Sequence, residues 1–436
     1  MDHKKIIETL ESHNKEAYYI GGFVRDKLLN KIPLDADIVT SAHPEDIINI
    51  FSGLAEVKEV GKSFGVVLVN DIEVATFRKD KYSGLDDKEV EITYSDTLKE
   101  DTDRRDLTIN AIAMDSKDNI IDYHNGINDL NNKIIRFIGN PKDRIFEDPN
   151  RILRACRFLC LIDGIFDPRS FFVLKQYKYL VTFIAHERIK KEIMKVMKIQ
   201  KASKFFIACY QIGILKYILP SLNDCIGVTQ NKYHSEPIFY HSMKVGDSIS
   251  TKYPLLKLAG YLHDVGKVTS KEFNTEKNDY QFLMHHRDGA KLAKSELMNL
   301  KFSNDEIDYV YNMIRYHMRN IPENSRGYRR TLNVFLENNI EYKDFLRIKL
   351  ADKRGKYPQT HYEIGELKTT LTKFKSVIDN KQPFGLKDLA INGHDLMSIG
   401  IKVGPEMGKI LNELLNKVID NPEINTKELL LEEVKR

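Results

Sequence analysis

The sequence predicts an α+β chain, with a mixed α/β head followed by a helical remainder. Three observations lead to this class. Short β-type runs (YYIGG, DADIVT, GVVLV, IEVATF, NIIDYH, KIIRFIG) alternate with helical pieces such as residues 44–51, and they do so within the first ~140 residues. From about Asp148 onward helical periodicity takes over, strand-like runs become rare, and breakers at Pro168, Pro220, Pro254, Pro322 and Pro383 separate the pieces. A length of 436 residues holds two to four domains at roughly 100–200 residues each. The expected division is a catalytic head over residues 1–140, a helical neck over 141–230, a further helical domain over 231–365 and a helical C-terminal body and tail over 366–436.

Composition narrows the class of protein. Apolar residues make up 42% and charged residues 30% without any long biased tract, which fits a soluble globular chain and excludes a disordered or collagenous one. Sixty-seven Lys and Arg against 63 Asp and Glu leave a net charge of +4, so a nucleic-acid partner has to be argued from where the basic residues cluster. Cys156, Cys160, Cys209 and Cys225 are too few and too irregularly spaced for a disulfide framework or a thiolate zinc site. The first residues, MDHKKIIETL, lack the apolar core of a secretory signal. The most apolar stretch, residues 205–219, is interrupted by Gln211, Gly213 and Lys216 and is too short to span a bilayer. The expectation is a cytoplasmic protein with no membrane partner.

The elements of the head carry chemistry in order. Gly21-Gly22 ends an apolar run and opens a helix that closes near Asn30; the glycines let backbone approach a ligand, and the helix start offers N–H groups to a phosphate. Arg25 adds a guanidinium fork. By itself such a pair is no more than a turn. Ten residues beyond Arg25, Asp35 and Asp37 precede Ile38-Val39-Thr40, so both are expected at the start of a strand on one face. Two hard oxygen ligands beside a phosphate cradle suit Mg²⁺, which is held by one or two carboxylates together with substrate phosphates.

Farther along, DRRDLTINA passes from charge into a buried helix start. Arg105 is expected to contact a triphosphate, and Asp106 to orient or pair an arginine. In EDPNRILRACRF, Pro149 fits the first helical position and Asp148 the N-cap. At about 100° per residue, Asp148, Arg151, Arg154 and Arg157 share one half of the helix, opposite Ile152, Leu153 and Cys156. The cationic face is expected to start with an Asp148–Arg151 pair.

The run GGFVRD, the DAD pair, RRDLTINAIAMD, EDPNRILRACRF and HERIKKE (residues 186–192) resemble, in order, the signature blocks of class II tRNA nucleotidyltransferases, which include CCA-adding enzymes and bacterial poly(A) polymerases. The resemblance covers about the first 200 residues. It implies a polymerase-beta-like nucleotidyltransferase head, with catalytic magnesium on Asp35 and Asp37. It further implies base reading by Asp148 and Arg151, with Gly22, Arg25, Arg105, Arg154 and Arg157 binding the nucleotide. Residues 77–90 stand where that family has a loop serving the switch from C to A, and are short and poor in arginine.

The base chemistry supports these roles independently. Cytosine offers an amino donor at N4 beside an acceptor at N3, and adenine repeats the order at N6 and N1. A carboxylate and a guanidinium side by side match both, whereas uracil and guanine present the reverse order. The implied activity is addition and repair of the 3′ CCA of tRNA from CTP and ATP. The rivals are a poly(A) polymerase and a CC- or A-adding specialist.

A second constellation lies downstream. Six of the 13 histidines fall between His234 and His317, a fifth of the chain, and crowding of that order needs a reason. His241, His263-Asp264 in HDVGK, and Asp352 resemble the ordered pattern of HD-domain phosphohydrolases, helical proteins in which these four groups bind a divalent metal. His285 and His317 are expected nearby. Imidazole with carboxylate suits Mn²⁺, Fe²⁺, Ni²⁺ or Zn²⁺. This leaves a reading of another class, a metal-dependent phosphohydrolase whose head only binds RNA. Near the end, residues 392–410 place glycines as caps and close contacts between helices, and look like the C-terminal body block of bacterial CCA-adding enzymes.

Overall fold

The fold is taken from a computed structural model, which describes every residue except 34, 60–64, 83–89, 233–235, 357–360 and 436. The chain divides into two compact units, Met1–Ile218 and Leu219–Arg436.

The first unit opens with α1 (His3–Ser12), β1 (Ala17–Ile20), α2 (Gly22–Leu28), β2 (Asp37–Thr40) and α3 (Pro44–Phe51). Then come β3 (Val57–Glu59), β4 (Val66–Val69), β5 (Ile72–Thr76), β6 (Arg78–Tyr82), β7 (Val90–Tyr94) and α4 (Leu98–Asp103). After a 3₁₀ turn at Thr108–Asn110 follow β8 (Ala113–Met114), β9 (Ile120–Ile121), α5 (Gly126–Asn131) and β10 (Ile134–Ile135). All six β-type runs read from the sequence contain a strand. Seven strands form one sheet in the order β3-β4-β5-β2-β1-β8-β9. Within it β2 and β5 are parallel, while β1 pairs antiparallel with both β2 and β8. Alternation in β4 buries Val67 and Val69 on one side of the sheet, with Val74 and Ile38 in register beside them, while Val39 faces the other side and packs there with Ile20, Phe77, Leu98 and Ala113.

Two local expectations shift. The segment after Arg105 enters a 3₁₀ turn and the short strand β8 rather than an α-helix. Residues 78–94 include an antiparallel ribbon, β6 with β7, while the middle of the expected loop, 83–89, lies outside the described residues.

The neck follows as α6 (Pro141–Glu147), α7 (Asn150–Ile162), β11 (Ile165–Phe166), α8 (Pro168–Gln176), α9 (His186–Val196), α10 (Ser203–Ile212) and α11 (Leu215–Ile218). It is not all helix, because β11 pairs in parallel with β10. Apolar α7 residues Ile152, Leu153, Ala155 and Cys156 are fully buried, and α7 packs on α9 and α10. The four cysteines are buried and unbridged.

The second unit runs through α12 (Pro220–Asp224), α13 (Ile238–Ser248), α14 (Pro254–Leu262), β12 (Lys271–Asn274), β13 (Asp279–Phe282), α15 (His285–Asn299) and α16 (Asn304–Tyr316). It ends with α17 (Ser325–Glu337), α18 (Tyr342–Gly355), α19 (His361–Asp379), α20 (Gly393–Ser398), α21 (Pro405–Asp420) and α22 (Lys427–Lys435). The β12–β13 hairpin corrects the expectation of an all-helical domain. Its strands are closed by a turn with Asn278 at φ 47° and tied by a Phe273–Tyr280 edge contact at 5.4 Å, cross-strand terms that helical periodicity does not register. Toward the end, Ile391, Leu396, Met407, Leu414, Val418 and Leu430 make a separate core around the glycine-capped block. Among the described residues no helix is long and apolar enough to cross a membrane.

Candidate active site

In the first unit, Gly21 takes φ 69° between β1 and α2, and a Cβ there would stand 3.6 Å from both Arg105 Nη1 and Asp37 Oδ2. The turn therefore brings the α2 N-terminus, a guanidinium and a carboxylate to one point. Arg25, one turn into α2, is buried and held. Its Nη1 donates to Asn110 Oδ1 at 2.9 Å, its Nε and Nη2 donate to Asp26, and its guanidinium lies 5.1 Å from the Phe158 ring centre.

Asp37 is the first residue of β2, whereas Asp35 precedes the strand and is exposed, a correction to the expectation that both lie within it. They nevertheless line the same cavity. Across the β2–β5 pairing, Asp37 stands in register with Glu73, a carboxylate that the sequence reading missed. Burial, reinforced by Glu73 and Asp35 and opposed by Arg105 and Arg25, pushes the Asp37 carboxyl above its ordinary range. Crowded carboxylates of this kind, all hard oxygen donors, are what a magnesium ion relieves, so these residues fit the cation.

The arginines are each tied from behind. Fully buried Asp101 accepts from Arg104 Nη2 at 2.6 Å and from Arg105 Nη2 at 3.1 Å, which aims Arg105 toward Gly21. Asp106 accepts from Arg154 Nε at 2.6 Å, so its expected role of pairing an arginine is met. Burial alone would raise the Asp106 carboxyl, but Arg154, Asn110 and Arg151 outweigh it and hold it well below the usual range. Glu192 on α9 accepts from Arg157 Nε at 2.5 Å, and the Arg157 guanidinium lies 4.1 Å from the Phe158 ring centre.

At the α6–α7 junction two details change. The helix is assigned from Asn150 with Pro149 as its cap residue, one position later than expected, although Asp148 Oδ1 still accepts from the Asn150 N–H at 3.0 Å. Asp148 takes its guanidinium from Arg188 of α9, at 3.0 and 2.7 Å, rather than from Arg151. Buried Arg151 donates to Glu147 and to the carbonyls of Arg144 and Arg104, because the chain turn between α6 and α7 carries Glu147 to its side. Asp35, Asp37, Gly22, Arg25, Arg105, Asp148, Arg151, Arg154 and Arg157 all line one cavity of about 650 Å³. Glu73, Asp101, Glu147, Arg188 and Glu192, which hold or accompany them, were missed. Arg188 and Glu192 lie inside the HERIKKE block, so a signal existed without a role.

The second unit gathers the other candidates. His241 Nε2 is 3.1 Å from Asp352 Oδ1, and His263 Nε2 is 3.2 Å from Asp264 Oδ2. His285 and His317 approach Asp264 Oδ1 at 3.3 and 3.7 Å. The Nδ1 atoms of His263, His285 and His317 each contact a backbone carbonyl, at Gly260, Phe282 and Ile314, which turns each Nε2 inward. These three inward nitrogens are buried with no hydrogen-bond partner. Imidazole nitrogens so arranged with two carboxylates would fit a borderline divalent metal, which would displace any proton they carry. Burial pushes His263 down, but Asp264 and Asp352 outweigh it and raise it to about 9, whereas burial and the His263 charge drive His317 well down. A Cβ on Gly266 would meet His285 O at 2.1 Å, so only glycine lets the HDVGK turn sit against α15.

Comparison with known proteins bears on both units. Residues 17–136 match the family described as the poly A polymerase head domain, and residues 166–226 match a probable RNA and SrmB-binding site of polymerase A. Residues 271–434 match a putative tRNA nucleotidyltransferase domain 2. The CCA-adding enzyme of Ligilactobacillus salivarius is 31% identical over 99% of this chain and 95% of its own. This chain belongs to the CCA-adding enzyme family. The CCA-adding enzyme of Staphylococcus haemolyticus is 30% identical over 99% of the chain and 96% of its own. In fold, the chain resembles the Bacillus stearothermophilus CCA-adding enzyme in complex with CTP, at TM-score 0.72 and 23% identity over 100% of this chain and 98% of that one. It also resembles the Thermotoga maritima CCA-adding enzyme complexed with tRNA, at TM-score 0.56 and 20% identity over 99% and 94%. The CCA-adding enzymes thus share its α+β architecture throughout.

Proposed function

We propose that the chain adds and repairs the 3′-terminal CCA of tRNA without a template, using CTP and ATP and releasing pyrophosphate. One observation carries this reading: the carboxylate pair, the glycine turn and the Asp148–Arg151 edge line one cavity. The α2 N-terminus with Arg25 and Arg105 receives the triphosphate, and Arg154 and Arg157 complete the cationic wall. Asp35 and Asp37, with Glu73 beside them, hold magnesium. A magnesium ion held there would supply neutralisation of phosphate charge and a lowered pKa for the attacking 3′ hydroxyl. Asp148 accepts from the base amino group and Arg151 donates to the ring nitrogen, so C and A fit and U and G do not. Residues 141–230 act as the neck and RNA-binding part, and the protein works in the cytoplasm.

The deciding experiment offers tRNA ending at the discriminator base together with each labelled nucleotide in turn. Two C and one A support the reading. Runs of A on arbitrary RNA point to a poly(A) polymerase, and arrest after CC or addition of A alone points to a specialist.

A second reading is favoured by the inward, unpartnered histidine nitrogens. Residues 231–365 are an HD-type domain in which His241, His263, Asp264 and Asp352, with His285 and His317 beside them, bind a divalent metal and hydrolyse a phosphate ester. Such a metal supplies an activated water. Metal analysis of the purified protein, followed by phosphatase and cyclic-phosphodiesterase assays with Mn²⁺, Ni²⁺ or Zn²⁺, tests it. Absence of both metal and hydrolysis refutes it.

A further inference from the structure

We propose that Arg188 is a positioning residue for base selection, holding the Asp148 carboxylate so that it presents one open acceptor to the incoming base. The inference rests on the reading of Asp148 as the acceptor of the base amino group.

An ionised carboxylate has about four lone-pair sites. On Asp148, Oδ1 accepts from the Asn150 N–H at 3.0 Å and from Arg188 Nη1 at 3.0 Å, and Oδ2 accepts from Arg188 Nη2 at 2.7 Å. Among the described residues three sites are filled, and the one left belongs to Oδ2. A backbone donor and a bidentate fork together fix the carboxylate plane, which a single contact does not do. Both residues line the nucleotide cavity.

The alternative is an ordinary surface ion pair, and the exposure of Arg188 side chain, 49%, invites it. The stability of α9 does not require the pair, however, since Ile189, Ile193 and Val196 are buried and Glu192 binds Arg157. What the pair does set is direction. It aims an acceptor at the base, and it occupies the guanidinium donors that would otherwise reach for a carbonyl. Uracil O4 and guanine O6 are such carbonyls, so an untied Arg188 would favour the wrong bases. Both consequences point toward C and A.

The test is single-turnover addition of each of the four nucleotides to tRNA by Arg188→Ala, Arg188→Gln, Arg188→Lys and Asp148→Asn, with folding checked by circular dichroism and melting. In Arg188→Ala and Arg188→Gln the preference for C and A over U and G should fall by roughly ten-fold and KM should rise, with kcat for CTP changing less, the scale of one misplaced buried hydrogen bond. Arg188→Lys keeps the charge without the fork, so it should recover KM but not the preference. In the Asp148→Asn background, adding Arg188→Ala should lower UTP use again, because the untied donor is gone. If Asp148→Asn changes the preference while the folded Arg188 variants keep it within two-fold, Arg188 has no positioning role and the base-reading model stands. If Asp148→Asn leaves the preference unchanged, both ideas fail.

Discussion

Asp37 and Glu73 stand side by side on neighbouring parallel strands, and their mutual repulsion is part of what raises the Asp37 carboxyl. Two further facts give that contact meaning: Asp35 adds to the same repulsion, and both aspartates line one cavity with the arginines of α2 and α7. A buried carboxylate raised by two neighbours is the kind of group that a cation in the same cavity would relieve.

Asp35→Ala and Asp37→Ala should each abolish nucleotide addition while changing melting little, because neither side chain is part of the apolar core. Glu73→Gln should keep the reaction but lower its rate by roughly ten-fold or more and raise the magnesium requirement, as expected for a group that tunes a metal's ligands. Rates measured across a magnesium titration check all three. Full activity of either aspartate variant at saturating magnesium would rule out the two-carboxylate site.

Arg151→Gln should weaken rejection of UTP and GTP by about ten-fold and slow CTP and ATP addition, since one donor to the ring nitrogen is lost in a buried setting. Competition between labelled CTP and UTP measures it. Unchanged choice would mean that the guanidinium, which also bonds the Arg104 and Arg144 carbonyls, only braces the α6–α7 turn.

The Asp106–Arg154 pair predicts a pH effect on stability. The folded Asp106 carboxyl is held below its ordinary value, so the pair contributes fully above about pH 4, where the unfolded carboxylate is ionised. Its contribution shrinks as pH falls below that point and is gone once pH passes the depressed folded value. Asp106→Asn should therefore cost about 3 kcal/mol at pH 7, the low end for a buried pair because the Arg154 side chain is 32% exposed. Urea melts at pH 7 and pH 3 should show the gap between wild type and variant narrowing at the lower pH; a constant gap would contradict the assignment.

His263→Ala combined with Asp264→Ala removes two groups from the histidine cluster, which lies in the second compact unit. Addition of C and A should stay near normal, while bound transition metal and any phosphatase or cyclic-phosphodiesterase activity disappear. Loss of nucleotide addition in a folded double variant would overturn this division of labour.

Gly266→Ala reaches the same cluster through backbone. The added methyl would collide with His285 O and Gly289 N, at 2.1 and 2.4 Å, so the HDVGK turn must move away from α15. A destabilisation of about 1–3 kcal/mol is expected, with metal content falling because His285 and Asp264 separate. Normal metal content by mass spectrometry would show that the cluster tolerates the shift.

The sequence by itself determined the order of chemical blocks, the β-type runs of the head, the helical remainder and the cationic face of α7. Each of these is a local property, a residue type at a short spacing or a period along one element. The carboxylate pair, the glycine turn and the gathering of His241, His263, Asp264 and Asp352 were legible for the same reason, and residues 83–89 of the expected switching loop stay a sequence reading, outside the described structure. Tertiary structure decided which charge meets which. Asp148 has Arg151 three residues away yet pairs with Arg188 forty residues on, because α9 packs beside α7 and carries the guanidinium to it. Glu73 joins Asp37 only through the parallel register of β2 and β5, and Asp101 aims Arg105 only because it is buried beneath it. The β12–β13 hairpin likewise depends on pairing between strands, and the inward set of His263, His285 and His317 on helix ends that bring three loops together. An arginine-rich sequence offers every carboxylate several near-equal partners, and only the packing of distant elements makes one of them shorter than the rest.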